Sequence, residues 1–258
     1  MEFTTAQISG FLGGYFWPLL RISGMLMLAP VFGAGATPIR VRLGLGFVIT
    51  WALYPLLPAA PAVEPLSATG IVIAFNQLLL GIATGFIFQL VFAALVLGAQ
   101  TIAMTMGLGF AQFIDPDGEP TVVIGQFYTL LGTLLFVALN GHLVMLQVIA
   151  ESFRAIPVGA VGLNQDSIIQ LVLWGSRMFT GGLLIALPAV LAITLINVAF
   201  GVVARAAPQI NIFGVLFPVT MAAGFVVMLL TLPSLLPRFT QLVMDGFDFI
   251  EHSLLVGR

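Results

Sequence analysis

The sequence predicts an all-α, polytopic membrane protein built from long apolar helices. Only 7% of its 258 residues are charged and 60% are hydrophobic, whereas a soluble domain carries about 25% charged residues. Charge-free runs longer than the roughly 20 residues that cross a bilayer as a helix occupy 43–63, 65–114, 120–150, 178–204 and 206–237. These runs are continuous rather than alternating, and a backbone in lipid must satisfy its own hydrogen bonds, so we expect helices rather than barrel strands.

Turn residues divide these runs into elements. Pro and Gly cluster at the expected loops, which are residues 29–40, 57–67, 112–120 and 151–166. Between them the sequence predicts helices near 10–29, 43–57, 69–111, 121–149, 167–203 and 209–236, followed by a segment from Arg238. That last segment places its apolar residues on one helical face, which predicts an amphipathic helix at an interface or against a partner.

The predicted helix at 69–111 is too long for a simple crossing. At 1.5 Å per residue it would extend about 65 Å, twice the roughly 30 Å hydrocarbon core. It is therefore either a hairpin or one helix that extends beyond the bilayer. Within it, Gly81 and Gly85 have the GxxxG spacing of closely packed helices, although chance gives the same spacing in a chain with 28 glycines.

Prolines inside the apolar runs predict broken or kinked helices, since proline removes a backbone hydrogen bond. They are Pro18, Pro188, Pro218 and Pro233. Such breaks persist at membrane depth only where protein covers them or where they line a cavity. This pattern favours packing against other chains.

Composition argues against an enzyme. The chain has no Cys and only two histidines, His142 and His252, so it has neither thiolate ligands nor a histidine-pair metal motif. It also lacks the glycine-rich nucleotide loops, and its net charge of −2 argues against nucleic acid as a partner. We expect no catalytic residues, no cofactor and no metal site.

Two arginines inside apolar stretches are candidate assembly or structural residues. Arg21 and Arg205 are costly to bury, so we expect each to have a buried partner, such as a carboxylate of another helix or chain. After Arg205, the stretch RAAPQINIFG predicts a helix end and restart: Pro208 breaks the helix, while Gln209 and Asn211 offer side-chain hydrogen bonds to the freed backbone groups.

The stretch GLGFAQFIDPDGEP, residues 107–120, is a loop whose three acids follow the fifty charge-free residues 65–114. Irregular acidic backbone belongs at an aqueous surface or in a water-filled lumen. One interpretation is an ordinary external turn. The other is a constriction in which the phenylalanines block a channel and the acids face water, as hydrophobic gates do.

Four stretches in register resemble a known family. They are WPLLRISGMLMLAPVFG with TPIRVRLGLG, then GLGFAQFIDPDG, then NGHLVMLQVIAESFRAIPVG, then INVAFGVVARAAPQINIFG. Together, from about Trp17 to Pro218, they resemble the R subunits (the FliR family) of flagellar type III export gates. The T subunits of injectisomes are similar, but RAAPQINIF is closer to the flagellar branch.

The resemblance implies a subunit of a helically arranged pore in the bacterial inner membrane, at the flagellar basal body and protruding toward the periplasm. Its implied partners are P and Q subunits, FlhB and FlhA-type export proteins, membrane lipid and unfolded proteins in transit. It also implies a P-like part, residues 1–165, and a Q-like hairpin with an amphipathic tail, residues 166–258.

In this family the segment matching residues 107–120 is regarded as a plug that closes the pore. Carried over, the gate candidates are Gly107, Gly109, Phe110, Phe113, Ile114, Asp115 and Pro116. A self-contained secondary transporter is the alternative from another class, but it should show two related halves and intramembrane acids for coupling ions. This sequence shows neither feature.

Overall fold

The computed structural model describes residues 5–32, 37–108, 123–159, 162–206 and 217–255, and every regular element in them is helical. The α-helices are α1 (Thr5–Leu28), α2 (Ile39–Leu53), α3 (Ala68–Thr105), α4 (Val123–Ala138), α5 (Gly141–Ala155), α6 (Gln165–Trp174), α7 (Ser176–Ala206), α8 (Phe217–Thr231) and α9 (Leu235–Phe249). Two 3₁₀ turns, Tyr54–Leu56 and Leu232–Ser234, follow α2 and α8, and a π-helix, Ile250–Leu255, follows α9. The all-α prediction is confirmed.

Several of these helices have the length and composition of membrane spans. In the described ranges, four segments are long and apolar enough to cross a membrane: Ile39–Leu56, Ala68–Thr105, Gln165–Ala206 and Pro218–Leu255. The α4–α5 pair supplies a fifth if it counts as one broken span. The chain is therefore a polytopic membrane protein, as its composition predicts.

The long charge-free stretch forms one helix rather than a hairpin. Helix α3 runs without a break for 38 residues, which corresponds to about 57 Å at 1.5 Å per residue. It ends at Thr105, however, and not near residue 111 as the sequence predicts. The helix ends earlier because a turn with a left-handed glycine, Gly107, follows it.

The prediction of one helix across 121–149 is wrong, because the structure breaks it between α4 and α5. Asn140 has a φ of 57°, in the left-handed region that asparagine tolerates better than most residues. The next residue, Gly141, lies against the Phe136 ring, where an added Cβ would be 2.5 Å from Cε2. A left-handed residue followed by a sterically required glycine ends one helix and starts the next.

The chain folds into two compact units, each assembled from separated segments. The first unit comprises Met1–Leu90, Phe136–Gly175 and Val243–Arg258, and the second comprises Val91–Leu135 and Ser176–Leu242.

In the first unit, α1 crosses α3 at glycines. A Cβ on Gly81 would overlap the carbonyl oxygen of Arg21, and one on Gly24 would lie 2.8 Å from the carbonyl oxygen of Leu78. A Cβ on Gly85 would also be too close to the α1 backbone. The Gly81–Gly85 spacing therefore marks a close helix approach and is not a chance pair.

From Val243 onward, the C-terminal amphipathic segment packs its aromatic side chains within the first unit. Phe247 packs on Phe88 with ring centres 4.9 Å apart, and Phe249 packs on Trp174 at 5.7 Å. Polar residues such as Asp248 remain exposed. The apolar face predicted from the sequence is thus used in packing against the same chain.

In the second unit, α3 and α7 cross with their backbones in contact. A Cβ on Gly98 would lie 2.9 Å from the carbonyl oxygen of Gly182, and one on Gly182 would lie 2.9 Å from that of Ala94. Helices α7 and α8 pack against each other in the same unit. The C-terminal half of α3 is therefore held against α7.

Candidate functional site

The C-terminal end of α3 directly precedes the predicted plug, and a specific turn ends the helix. Gly107 has a φ of 85°, a conformation that glycine adopts without steric cost. Its N–H donates to the Met104 carbonyl at 3.0 Å, and the N–H of Leu108 donates to the Ala103 carbonyl at 3.0 Å. This pair of bonds is the Schellman arrangement, which ends helices at a glycine.

A side chain from another helix completes the hydrogen bonding of this helix end. A helix leaves its last four carbonyls without partners inside the helix. The turn satisfies two of them, and the N–H of Met106 satisfies a third, that of Ile102, at 3.0 Å. The fourth, the carbonyl of Thr105, accepts a hydrogen bond of 3.1 Å from Nδ2 of Asn197 in α7.

Helix α8 also contacts this helix end. Met106 is fully buried, and a Cβ on Gly224 would lie 2.5 Å from its Cγ and 2.9 Å from its Cε. The absence of a side chain at Gly224 therefore lets α8 approach the methionine. Neither Asn197 nor Gly224 was predicted from the sequence; the available signal was a lone asparagine inside the charge-free run 178–204.

Among the predicted gate residues, the structure describes Gly107 alone. The others, which lie outside the described residues, are Gly109, Phe110, Phe113, Ile114, Asp115 and Pro116. They follow Leu108 directly and precede Val123, the first residue of α4. The described part thus defines how the chain enters the acidic loop.

Arg21 in α1 is fully buried and binds three polar groups. Its Nε donates to Gln77 Oε1 at 2.8 Å, its Nη1 to Ser152 Oγ at 3.0 Å, and its Nη2 to the Ile156 carbonyl at 2.9 Å. The guanidinium carbon lies 4.1 Å from the centre of the Phe153 ring. One side chain therefore ties α1 to α3 and to the end of α5.

The buried partners of Arg21 are neutral, whereas we expected a carboxylate. Ile156 is the C-cap residue of α5, and the C-terminal end of a helix carries roughly half a negative charge. The face of the Phe153 ring adds a cation–π attraction. A helix end and a ring face take the place of the expected acid among the described residues.

Arg205 differs from Arg21, because it is exposed near the end of α7. Its predicted buried partner is not found among the described residues, and its role in assembly stays a prediction. Pro208, Gln209 and Asn211 lie outside the described residues, immediately after α7 ends at Ala206.

These features define a class of protein. The chain is a polytopic α-helical membrane protein in which the side chains of Arg21 and Asn197 join different helices, and the Asn197 contact lies at the end of the helix that leads into an acidic loop. Its sequence matches the family described as bacterial export proteins, family 1, over residues 12–246. The chain belongs to this family of export proteins.

Three similar proteins share the name flagellar biosynthetic protein FliR. Over 251 residues the chain is 36% identical to the flagellar biosynthetic protein FliR of Escherichia coli (strain K12), covering 97% of this chain and 96% of that protein. It is 35% identical over 255 residues to FliR of Pectobacterium carotovorum, with coverages of 98% and 97%. FliR of Aquifex aeolicus is 32% identical over 235 residues, with 90% of each chain covered. The predicted family resemblance is confirmed.

Proposed function

We propose that this chain is a structural and gating subunit of the flagellar type III protein export channel in the bacterial inner membrane. The observation that carries the proposal is the nearly end-to-end similarity to flagellar biosynthetic proteins named FliR. The proposed role is structural rather than enzymatic, and the flagellar names favour this branch over an injectisome T subunit. Membership of an export family also favours it over a self-contained transporter.

The distribution of burial supports a protein that works in a complex. Most of the apolar window of α3 is buried inside the chain, at 61%, whereas the window in Ile39–Leu56 is only 11% buried. Side chains such as Phe47 and Trp51 on α2 are exposed. Surfaces of this kind must face lipid or other subunits, and we propose P- and Q-type subunits, with FlhB- and FlhA-type proteins, as the neighbours.

We also propose that the chain is a fusion of a P-like part, 1–165, and a Q-like part, 166–258. Its boundary falls at the first turn of α6, where the side chain of Asn164 caps the helix by accepting a 2.6 Å hydrogen bond from the Ser167 N–H. We also propose that part of the complex protrudes on the periplasmic side, because α3 is longer than the bilayer is thick.

The gating role rests on the entry to the acidic loop. We propose that residues 107–120 close the pore, with Phe110, Phe113 and Ile114 as the apolar block and Asp115 on its wet side. The turn at Gly107 supports this role, because its two hydrogen bonds end α3 directly before the loop.

Affinity purification in mild detergent tests the subunit role. We expect the chain to elute in a large complex together with P- and Q-type membrane proteins, identified by mass spectrometry. A monomer or a small homo-oligomer from cells that assemble flagella would contradict the proposal.

A deletion tests the gate. Removing residues 110–114 from the assembled complex should raise the ion conductance of reconstituted membranes. The matched control removes five residues, 58–62, from the loop after α2. If the ion conductance is equally low after both deletions, residues 107–120 are not the plug.

A further inference from the structure

We propose that one face of α3 is a coiled-coil seam that binds a single apolar helix of a neighbouring subunit. This inference rests on the proposed subunit role. Among the four candidate spans in the described ranges, α3 has the most enclosed window, with 61% of it buried inside the chain. The face that it leaves uncovered is narrow and regularly spaced along the helix.

The uncovered face has the spacing of a coiled coil. Its half-buried and exposed positions alternate at intervals of three and four residues through four heptads. This alternation has a mean period of 3.5 residues, which keeps a partner helix on the same face in a left-handed supercoil. These positions, named the seam, are Val72, Phe75, Leu79, Ile82, Phe86, Gln89, Ala93, Val96 and Gln100.

The other faces of α3 are covered by helices of the same chain. Between residues 80 and 103 of α3, the unburied residues outside the seam are Leu97 and Thr101, and each directly follows a seam residue. Gly81 lies against α1 within the first unit, and Gly98 lies against α7 within the second. An uncovered stripe one residue wide has the width that a single helix contacts.

The length of the seam exceeds what lipid covers. From Val72 to Gln100 it extends about 42 Å at 1.5 Å per residue, whereas the hydrocarbon core is roughly 30 Å thick. Even at a steep tilt of about 40° the seam would extend about 32 Å along the membrane normal. An apolar stripe that continues beyond the hydrocarbon core indicates a protein partner.

The undescribed parts of this chain are too short to be that partner. The longest undescribed range, 109–122, has 14 residues, and as a helix it would extend about 21 Å, half the length of the seam. An extended segment would bring unpaired backbone groups to an apolar face, which is costly. The seam therefore fits a helix of another chain.

The seam residues define the chemistry of the partner helix. The rings of Phe75 and Phe86 are 61% and 37% exposed, and large side chains pack best opposite small ones. A second copy of this chain in parallel would place each ring against itself, so a different subunit fits better. Gln89 lies between Phe86 and Ala93 in the seam, where an amide hydrogen-bonds across an apolar helix interface. We expect small residues opposite the two rings and a hydroxyl or amide side chain opposite Gln89.

Photocross-linking of the assembled complex tests the seam. A photoreactive phenylalanine analogue is placed singly at positions 79, 82, 86 and 89, and at position 179 as the control. Phe179 in α7 is 62% exposed and lies outside the seam. We expect all four seam positions to form adducts with one helix of one other subunit. The attachment points should advance along that helix by three or four residues from each position to the next, and position 179 should not join this series.

The outcomes separate the seam from the subunit role. If the complex is intact but the seam positions form no adducts, or form them with lipid, with a second copy of this chain or with unrelated segments, the seam is overturned and the subunit role stands. If the chain purifies without other subunits, the subunit role fails, and the seam fails with it.

A pair of substitutions tests the contribution of one ring. Phe75→Ala and Phe179→Ala remove the same side chain from positions that are 61% and 62% exposed. The readout is the yield of assembled complex relative to the amount of this chain in the membrane. Truncation of an aromatic residue at the centre of an interface weakens binding about thirtyfold, so the yield should fall for Phe75→Ala and change little for Phe179→Ala. An unchanged yield for Phe75→Ala, or equal losses for both variants, would overturn the seam.

Discussion

The buried arginine of the first unit and the helix end of the second unit both use polar contacts to join apolar helices, but they differ in strength. Arg21 makes three hydrogen bonds, stacks on a ring and is sealed from solvent. Thr105 receives one neutral, part-buried hydrogen bond from Asn197. Breaking the first contact leaves several buried groups unpaired, whereas breaking the second costs about 1 kcal/mol.

This difference in strength suggests that the two contacts have different roles. A contact that is costly to break suits a region that must stay assembled while substrate passes. A contact that thermal motion breaks often suits a region that opens under the proposed gating function. We therefore expect substitutions in the first unit to lower the stability of the complex, and substitutions at the end of α3 to alter conductance with less effect on stability.

The largest expected effect comes from Arg21→Met. The change leaves Gln77 Oε1 and the Ile156 carbonyl without their donor, and each buried acceptor left unpaired costs about 1–3 kcal/mol. The readout is the fraction of complex that survives heating in detergent. Arg21→Lys keeps the charge but not the planar guanidinium, so its heat resistance should lie between that of the wild type and that of the Met variant. A Met variant as heat-resistant as the wild type would show that the Arg21 contacts do not hold the first unit together.

The next effect comes from Gly81→Ala, with Gly125→Ala as its control. A Cβ at residue 81 overlaps the Arg21 carbonyl, so α1 must move away from α3, and overpacking of this kind costs about 1–3 kcal/mol. Among the described residues, no atom lies within 4 Å of a Cβ at Gly125, and alanine favours a helix. Thermal stability in detergent should fall for the first variant only. Equal losses would mean that the close approach of α1 and α3 is not required.

Gly107→Ala should have a smaller effect on stability and a visible one on conductance. Alanine at a φ of 85° costs about 1–2 kcal/mol, which weakens the turn that ends α3. Asparagine tolerates this region better, so Gly107→Asn is the matched control. Conductance of the reconstituted complex should rise for Ala and rise less for Asn. Identical conductance of the wild type and both variants would show that the turn at Gly107 does not affect gating.

Arg205→Ala should have the smallest effect on the chain itself. The side chain is exposed, and such substitutions change stability by roughly 0.5 kcal/mol or less. We nevertheless expect a lower yield of assembled complex, because a carboxylate on a neighbouring subunit would lose its partner. Arg177→Ala removes another exposed arginine from the same helix and serves as the control. Equal yields from both variants would leave Arg205 without a role in assembly.

Sequence reasoning predicted the elements better than their ends. The charge-free run of α3 and the GxxxG spacing of Gly81 and Gly85 were both visible in the sequence, because each depends on residues that are neighbours along one helix. The structure decided that α3 is a single helix and that the two glycines lie at a close helix approach. The end of α3 at Thr105 and the break at Asn140 were not predicted, since each depends on left-handed backbone at a single residue. Many glycines and asparagines occur in this chain without that conformation.

The candidate sites were predicted only in part. Arg21 was recognised as a buried arginine in need of a partner, but its partners are 56 to 135 residues away and are not acids. Asn197 was missed altogether, although it was the lone asparagine in a charge-free run. Sequence spacing identifies which residue needs a partner; it does not identify the group that meets it.

The sequence by itself determined that this chain is helical and lies in a membrane, because apolar runs without water must satisfy their backbone within the same segment. Only the tertiary structure decided which helix ends meet which side chains. The last carbonyl of a helix has no partner in its own segment, so its hydrogen bond depends on how distant helices pack. At Thr105 that packing selected Asn197.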